Sequence, residues 1–360
     1  MSNTFRELLK KVGSGVHTGK DLNRTEAAEA TKMMLLQEAT PAQIGAFMIA
    51  HRIKRPTVAE LAGMLDACDE LGPKLQTDHL PFDKPVTVFG NPYDGRSRTA
   101  PVTPITALIL ATAGVPVVMH GGDCMPTKYG IPLIEIWQGL GVDFAPLSLS
   151  KTQQLLEKTG LTLVYLPQHF PLAHNLVPYR DQIGKRPPFA TLELIWSPCP
   201  ENAHIVSGFV HPPTEDRFRE TFKLRGVEHF TTVKGLEGSC DLACSRTGII
   251  GLAQPDSEPS FQRLHLHPRE YGFAGKDVPL ESTPKLIEQI QDVCGGKSSE
   301  LMPSAILNGG FYLWCFGVCS SLEAGFSQAE VMLSKGKVAD KLREMSMVSS
   351  QLSLSLDHIE

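Results

Sequence analysis

No stretch of this sequence carries the roughly 18 consecutive apolar residues that a membrane-spanning helix needs. Its opening, MSNTFRELLKK, is charged and amphipathic, unlike the apolar centre of a secretory leader. The expectation is a cytoplasmic protein with no membrane partner. Positive charge is not in excess: 34 Lys and Arg face 39 Asp and Glu, a formal net charge of −5. That excludes a uniformly basic nucleic-acid binder and leaves room only for a local basic groove on an acidic body. Cysteine is sparse, eight in 360 residues, and no C-x2-C pair occurs. Cys240/Cys244 and Cys315/Cys319 stand four apart, one face of a helix, which reads as core packing by reduced thiols. Internal repeats are absent as well.

What remains is an ordinary globular composition, 42% hydrophobic, in a chain long enough for two lobes. Residues 1–75 read as helices throughout. Phe5, Leu8, Leu9 and Val12 form one stripe, Asn23 or Thr25 can cap a helix with Glu26 in its first turn, and Thr40-Pro41 and Thr57 open two more. The run Ile44, Phe47, Met48 and Ile49 is apolar on most sides and demands burial, in its own lobe or against a second subunit. A homodimer through these N-terminal helices is the expectation.

Beyond residue 76, β-rich and helical runs alternate. The pattern predicts strands near 86–89, 115–118, 142–144, 162–167, 204–209 and 229–233. It predicts helices near 102–113, 134–140, 148–156, 284–293, 303–319 and 322–345, and one containing Phe218 and Phe222. The segment 168–188 is a Pro-, His- and Arg-rich connector, 256–272 a polar hairpin or excursion, and the tail SSQLSLSLDHIE partly ordered at most. The fold class is therefore α/β: a small N-terminal helical lobe over 1–75, completed by a segment near 168–190, and a larger α/β domain over 76–360 with a mostly parallel central sheet.

The chemistry concentrates in one βαβ unit. Val86 to Phe89 breaks into Gly90, Asn91, Pro92, Tyr93, Asp94 and Gly95 before a helix, and Val115 to Val118 ends in His120-Gly121-Gly122, followed by Lys128. Two glycine-bearing loops at the carboxyl ends of neighbouring parallel strands make an anion site, and the expected ligand is phosphorylated. The plainer readings are a tight turn, a surface lysine and a structural histidine.

Here the residues resemble a family. PAQIGAFMIAHRIKRPTVAELAGM is similar to the PxQxxAFLxALRxKGET helix pair of the anthranilate phosphoribosyltransferases, and SAILNGGFYLWCFGVCSSLEAGF to their late LNAAAALY helix, centred here on Asn308. That family, glycosyltransferase family 3, shares its fold with the pyrimidine nucleoside phosphorylases. The likeness covers nearly the whole chain. It implies transfer of a phosphoribosyl group from phosphoribosyl pyrophosphate to an aromatic acceptor such as anthranilate, a step of tryptophan biosynthesis.

Three motifs carry the chemistry. The diphosphate loop GTGGDGxNxxNxST aligns on Gly90 to Thr103, keeping Gly90, Asp94, Gly95 and Thr103 but placing Pro92 and Tyr93 where the family has glycine. The second motif, KHGNRxxSSxxGxxD, aligns from Met119. It keeps or resembles His120, Gly121, Thr127 and Lys128, with Asp123 in the arginine position, where it would reverse the local field. The third, GxDGxDE, aligns on Gly235 to Asp241, with Cys240 in place of one acid. By resemblance the first two sets hold the donor, while Asp241, helped by Glu237, holds Mg2+. Asp241 could equally cap a helix. The acceptor motif VRxxLGxRTxFN aligns on YRDQIGKRPPFA and implies Arg180 and Arg186 at an acidic aromatic acceptor; GPLTNP is here ELIWSP, Glu193 to Pro198. No residue is singled out as catalytic.

A divergent subgroup of the family, with YDGxRxxAxxTP, VVMHG and GxEG in these places, resembles the chain in all three motifs and is associated with nucleic-acid binding by a homodimer. The alternative expectation is thus a non-catalytic paralogue holding DNA or RNA in an inter-lobe groove. That groove would be built from Arg96, Arg98, Lys128, Arg180, Lys185, Arg186, Lys234 and Arg246.

Overall fold

The computed structural model describes residues 3–15, 17–200, 203–253 and 260–355. Four helices come first: α1 (Asn3–Gly13), α2 (Arg24–Leu35), α3 (Pro41–Lys54) and α4 (Val58–Leu71). Three of them open on reciprocal caps, Asn23/Glu26, Thr40/Gln43 and Thr57/Glu60, each satisfying two of the donors a helix start leaves bare. Asn23, not Thr25, is the cap of α2. Ile44, Phe47 and Met48 are buried inside this lobe with Phe5, Leu8 and Met34. Glu60 is buried too; burial raises its pKa, but His51, Lys54 and the Leu22 N–H outweigh that and hold it at about 2.

Seven strands follow: β1 (Thr87–Gly90), β2 (Val117–Gly121), β3 (Leu161–Tyr165), β4 (His204–Gly208), β5 (Phe230–Val233), β6 (Gly248–Ala253) and β7 (Phe261–Leu266). Their order is β3-β2-β1-β4-β5-β6-β7, with β1 to β5 parallel and β6 and β7 antiparallel at one edge. Residues alternate across the sheet. Val88, Val118, Val164 and Ile205 face the core shared with the helical lobe. Phe89, Met119, Leu163 and Val206 face α5 (Thr103–Thr112) and the C-terminal helices. The chain leaves β1 through α5 to reach β2 on one side and returns as β4 on the other. The carboxyl end of β1 is therefore the switch point at which open α/β sheets hold ligands.

The strand expected at 142–144 is a loop; Val142 and Phe144 are apolar because they are fully buried, Phe144 edge-on to Trp137. β6 went unpredicted because its glycines weaken the β signal. Gly251 is required there, since a Cβ would collide with Phe261 and Thr232. The polar excursion contains edge strand β7, whose outer positions are exposed; residues 256–259 of that stretch lie outside the described residues. The connector near 168–190 forms short helices, with Leu176 buried in the core of the helical lobe. The tail is helical through Leu354, and 356–360 lie outside the described residues. Cys240 and Cys244 are buried but lie in the loop after β5, not on a helix.

That loop is pinned from below. Asn308, on the helix Met302–Cys315, accepts from Leu242 N at 2.7 Å and donates to Leu242 O at 3.1 Å, and the Tyr312 hydroxyl donates to Cys240 O at 2.6 Å. Asn308→Ala strands both backbone groups of Leu242 in a dry site, so urea denaturation is expected to show a loss of about 2–4 kcal/mol.

Candidate functional site

Gly90 ends β1 directly beneath residue 194, where a Cβ would collide with the Leu194 carbonyl, so the chain turns outward at once. Gly95, at φ 71°, completes the turn against the second rim loop. The two loops are tied by Ile131 N donating to Arg96 O at 2.8 Å and by Lys128 Nζ donating to Gly95 O at 2.8 Å. They face one another across a cavity of about 30 Å³ lined by Gly95, Thr103, His120 and Gly121, with the Tyr93 ring in its wall.

The N–H groups of Ser97, Arg98 and Thr99 point the same way and meet one carboxylate, that of Glu237. Thr99 N donates to Oε1 at 3.0 Å, Arg98 N at 3.1 Å and the Thr99 hydroxyl at 2.9 Å, while Ser97 N donates to Oε2 at 3.3 Å. Lys128 Nζ lies 2.5 Å from Oε2 and Arg96 Nε 3.3 Å from Oε1. Successive amides of this kind form an anion-binding concavity, and here the anion is part of the chain. Glu237 is brought in on a left-handed backbone, φ 55°, uncommon for a residue with a side chain and costing about 1 kcal/mol or more. Its side chain is only 3% exposed. Burial raises its pKa, but the Lys128 bond and charge outweigh that and hold the carboxyl well below the usual range.

Asp241 is equally committed. It takes Arg96 Nη1 at 2.7 Å, Val102 N at 3.1 Å and the Thr103 hydroxyl at 2.7 Å, capping α5 from across the site. The Cys240 thiol has Gly90 O and Val206 O each at 3.3 Å as acceptors for its one proton, and burial keeps it protonated far above neutral pH. Mg2+ demands about six oxygens in near-octahedral array. The two carboxylates the resemblance assigns to it already neutralise Arg96 and Lys128, and the thiol is not a hard ligand. The donor set does not fit the ion, and among the described residues no three His, Cys, Asp or Glu side chains gather as a cation site.

In the second loop, His120 lies 2.5 Å by Nδ1 from the Tyr93 hydroxyl, under the edge of Trp196. Burial pushes His120 down to about 3, keeping it neutral. Thr127 is exposed. Asp123 is exposed as well and accepts from Tyr165 at 2.5 Å, so it does not reverse the field at the cradle as its alignment suggested.

Arg180 and Arg186 meet two acids. Glu193 Oε1 lies 2.5 Å from Arg180 Nη1, Asp94 Oδ2 3.5 Å from Arg180 Nη2 and 3.2 Å from Arg186 Nε. Beside Arg180 opens an apolar cavity lined by Met125, Phe170 and Trp196. Sequence reading missed Glu193, whose only signal was an acid inside an otherwise apolar tract. The basic groove is not assembled as expected: Arg96 and Arg180 are buried, and they, Lys128 and Arg186 are all spent on carboxylates. Arg52, Arg55 and Arg217 instead line a cleft with Arg186, which the sequence did not flag.

A helical lobe, a mainly parallel sheet and a ring of amides and cations around Glu237 at its switch point define a two-lobed α/β protein. More particularly, the chain belongs to the glycosyl transferase family: the family's helical bundle domain matches residues 6–72 and its a/b domain residues 94–339. It is 27% identical over 351 residues to an anthranilate phosphoribosyltransferase of Rhodopseudomonas palustris (strain BisB18), covering 97% of this chain and 99% of that one. It is 28% identical over 316 residues to an uncharacterized protein of Aquifex aeolicus (strain VF5), covering 86% and 93%. The fold is that of anthranilate phosphoribosyltransferase from Saccharomyces cerevisiae in complex with PRPP and Mg, at TM-score 0.81, 15% identity and 98% and 99% coverage. Anthranilate phosphoribosyltransferase from Thermus thermophilus superposes at TM-score 0.77, with 18% identity and 97% and 100% coverage.

Removing the internal anion leaves half-buried Lys128 with no carboxylate and buried Arg96 with Asp241 as its one remaining counter-charge. Glu237→Ala is expected to lose about 3 kcal/mol, and sulfate should raise its melting temperature by several degrees more than that of the wild type. His120, ordinarily near 6.5 and held at about 3 when folded, contributes stability that is complete above pH 6.5 and is lost as pH falls toward 3. His120→Gln should flatten that part of the acid-unfolding curve.

Proposed function

We propose that this chain is an anthranilate phosphoribosyltransferase-like glycosyltransferase, taking phosphoribosyl pyrophosphate at the cradle, with transfer slowed because the donor has to displace Glu237. One observation supports this most directly: Arg96, Lys128 and three backbone amides already converge on an anion at the switch point. A diphosphate is the larger anion of the same chemistry. In such a transfer the bond from the ribose anomeric carbon to diphosphate breaks as the acceptor amine attacks, and catalysis consists of holding the two parts and stabilising the departing charge. Gly90, Gly95, Thr103, Gly121 and Lys128 frame the donor's space in this reading. Arg96 and Lys128 meet the departing charge, and Glu237 and Asp241 serve as internal counter-anions rather than metal ligands. Asp94, Arg180 and Arg186 border the acceptor, and His120 holds Tyr93 in place. A homodimer through the N-terminal helices and a cytoplasmic location belong to the same reading; no helix among the described residues is long and apolar enough to cross a membrane.

Calorimetric titration of the full chain with phosphoribosyl pyrophosphate, with and without Mg2+, tests this. Saturable heat is expected in both, at a Kd of roughly 0.1–1 mM and about tenfold tighter in Glu237→Gln. Silence at millimolar donor, or heat that strictly requires the metal, would contradict it.

A further inference from the structure

The cavity beside Arg180 carries the wrong charge for an acidic acceptor. We propose that it takes a neutral aromatic ring bearing a carbonyl, an aromatic carboxamide or lactam, and discriminates against an aromatic carboxylate. This rests on the transferase reading only in calling the ligand an acceptor.

Arg180 is 3% exposed, and two carboxylates bracket it: Glu193 at 2.5 Å from Nη1 and Asp94 at 3.5 Å from Nη2. Both acids are buried, and the second guanidinium in reach, that of Arg186, is 40% exposed and bound to Asp94 alone. Glu193 is further fixed by accepting Tyr93 N–H through Oε2 at 2.9 Å. The buried part of this cluster thus holds one cation against two anions. A ligand carboxylate would be the third negative charge around a single desolvated guanidinium, and like charges in such a setting are strongly disfavoured.

Neutral hydrogen-bonding capacity, by contrast, is left over. Arg180 Nε and Nη2 and Trp196 Nε1 are buried and make no hydrogen bond within the protein, and both residues line the cavity. Buried donors without acceptors are costly, and a carbonyl oxygen satisfies them without bringing charge. The walls supplied by Phe170, Phe189, Leu176 and Met125 suit a flat ring, and the cavity, about 70 Å³, opens outward beside Arg180.

The test is a pair of isosteres, 2-aminobenzamide and 2-aminobenzoate, titrated into the full chain by ligand fluorescence at pH 7.5. The amide is expected to saturate and to bind at least about tenfold more tightly than the acid. Glu193→Gln should improve the acid by about tenfold and leave the amide within about twofold; Asp94→Asn is the second variant should that one fail to fold. An acid bound as tightly as the amide by the wild type, or no binding of either, overturns the proposal. Amide binding without any response to phosphoribosyl pyrophosphate supports this pocket and sinks the transferase reading, whereas acid preference together with donor binding does the reverse.

Discussion

One buried carboxylate organises the rim of this sheet. Glu237 gathers the amides of residues 97–99, Arg96 and Lys128 around a single pair of oxygens, and each partner brings its own segment: the turn after β1, the second rim loop and, through Asp241 and Arg96, the start of α5. Taking these charges out of water is expensive, and only the completeness of the bonding repays it. The loop that carries Glu237 is held by Asn308 and Tyr312 beneath, which fixes the anion relative to the sheet. Removing any partner of the cluster exposes the others to an uncompensated charge.

Seen this way, the departures from the family's motifs are not independent losses. The Tyr93 ring fills part of the space a glycine would leave open and is fixed by His120. The Cys240 thiol, a poor metal ligand, instead lies between the carbonyls of Gly90 and Val206 on neighbouring strands. Arg96 and Lys128 bring fixed positive charge to this rim, and Glu237 balances them. Beside it Glu193 and Asp94 bracket buried Arg180, and the partly exposed Arg186 reaches Asp94 from the solvent side. At the Glu237 cradle the charges are already paired, so an anion entering there has to exchange for a carboxylate of the chain.

Local signals were legible and long-range ones were not. The caps at Asn23, Thr40 and Thr57, the alternation of β1 and β2 and the glycine breaks after them follow from propensity and period within a dozen residues, and the architecture followed from their order. The pairing of Arg96 with Glu237 spans 141 residues, that of Arg96 with Asp241 145. No local pattern announces such a partner, so Glu237 and Asp241 were read as metal ligands, Lys128 and Arg180 as ligand-binding residues, and Arg96 as a cation of the alternative groove. Likewise Val142 and Phe144 read as a strand because burial and β structure draw on the same residues, and β6 went unseen because close packing around Gly251 forced out the side chain that would have marked it.

The central claim, that a chain carboxylate occupies the anion cradle, is most directly tested by amide NMR of the unliganded protein. The Arg98 and Thr99 amide protons are expected to lie downfield at neutral pH and to hold their positions until acid protonates Glu237, well below the ordinary glutamate range. Amides at ordinary shifts that move on adding millimolar phosphate at pH 7 would mean that the cradle stands open and that Glu237 lies elsewhere.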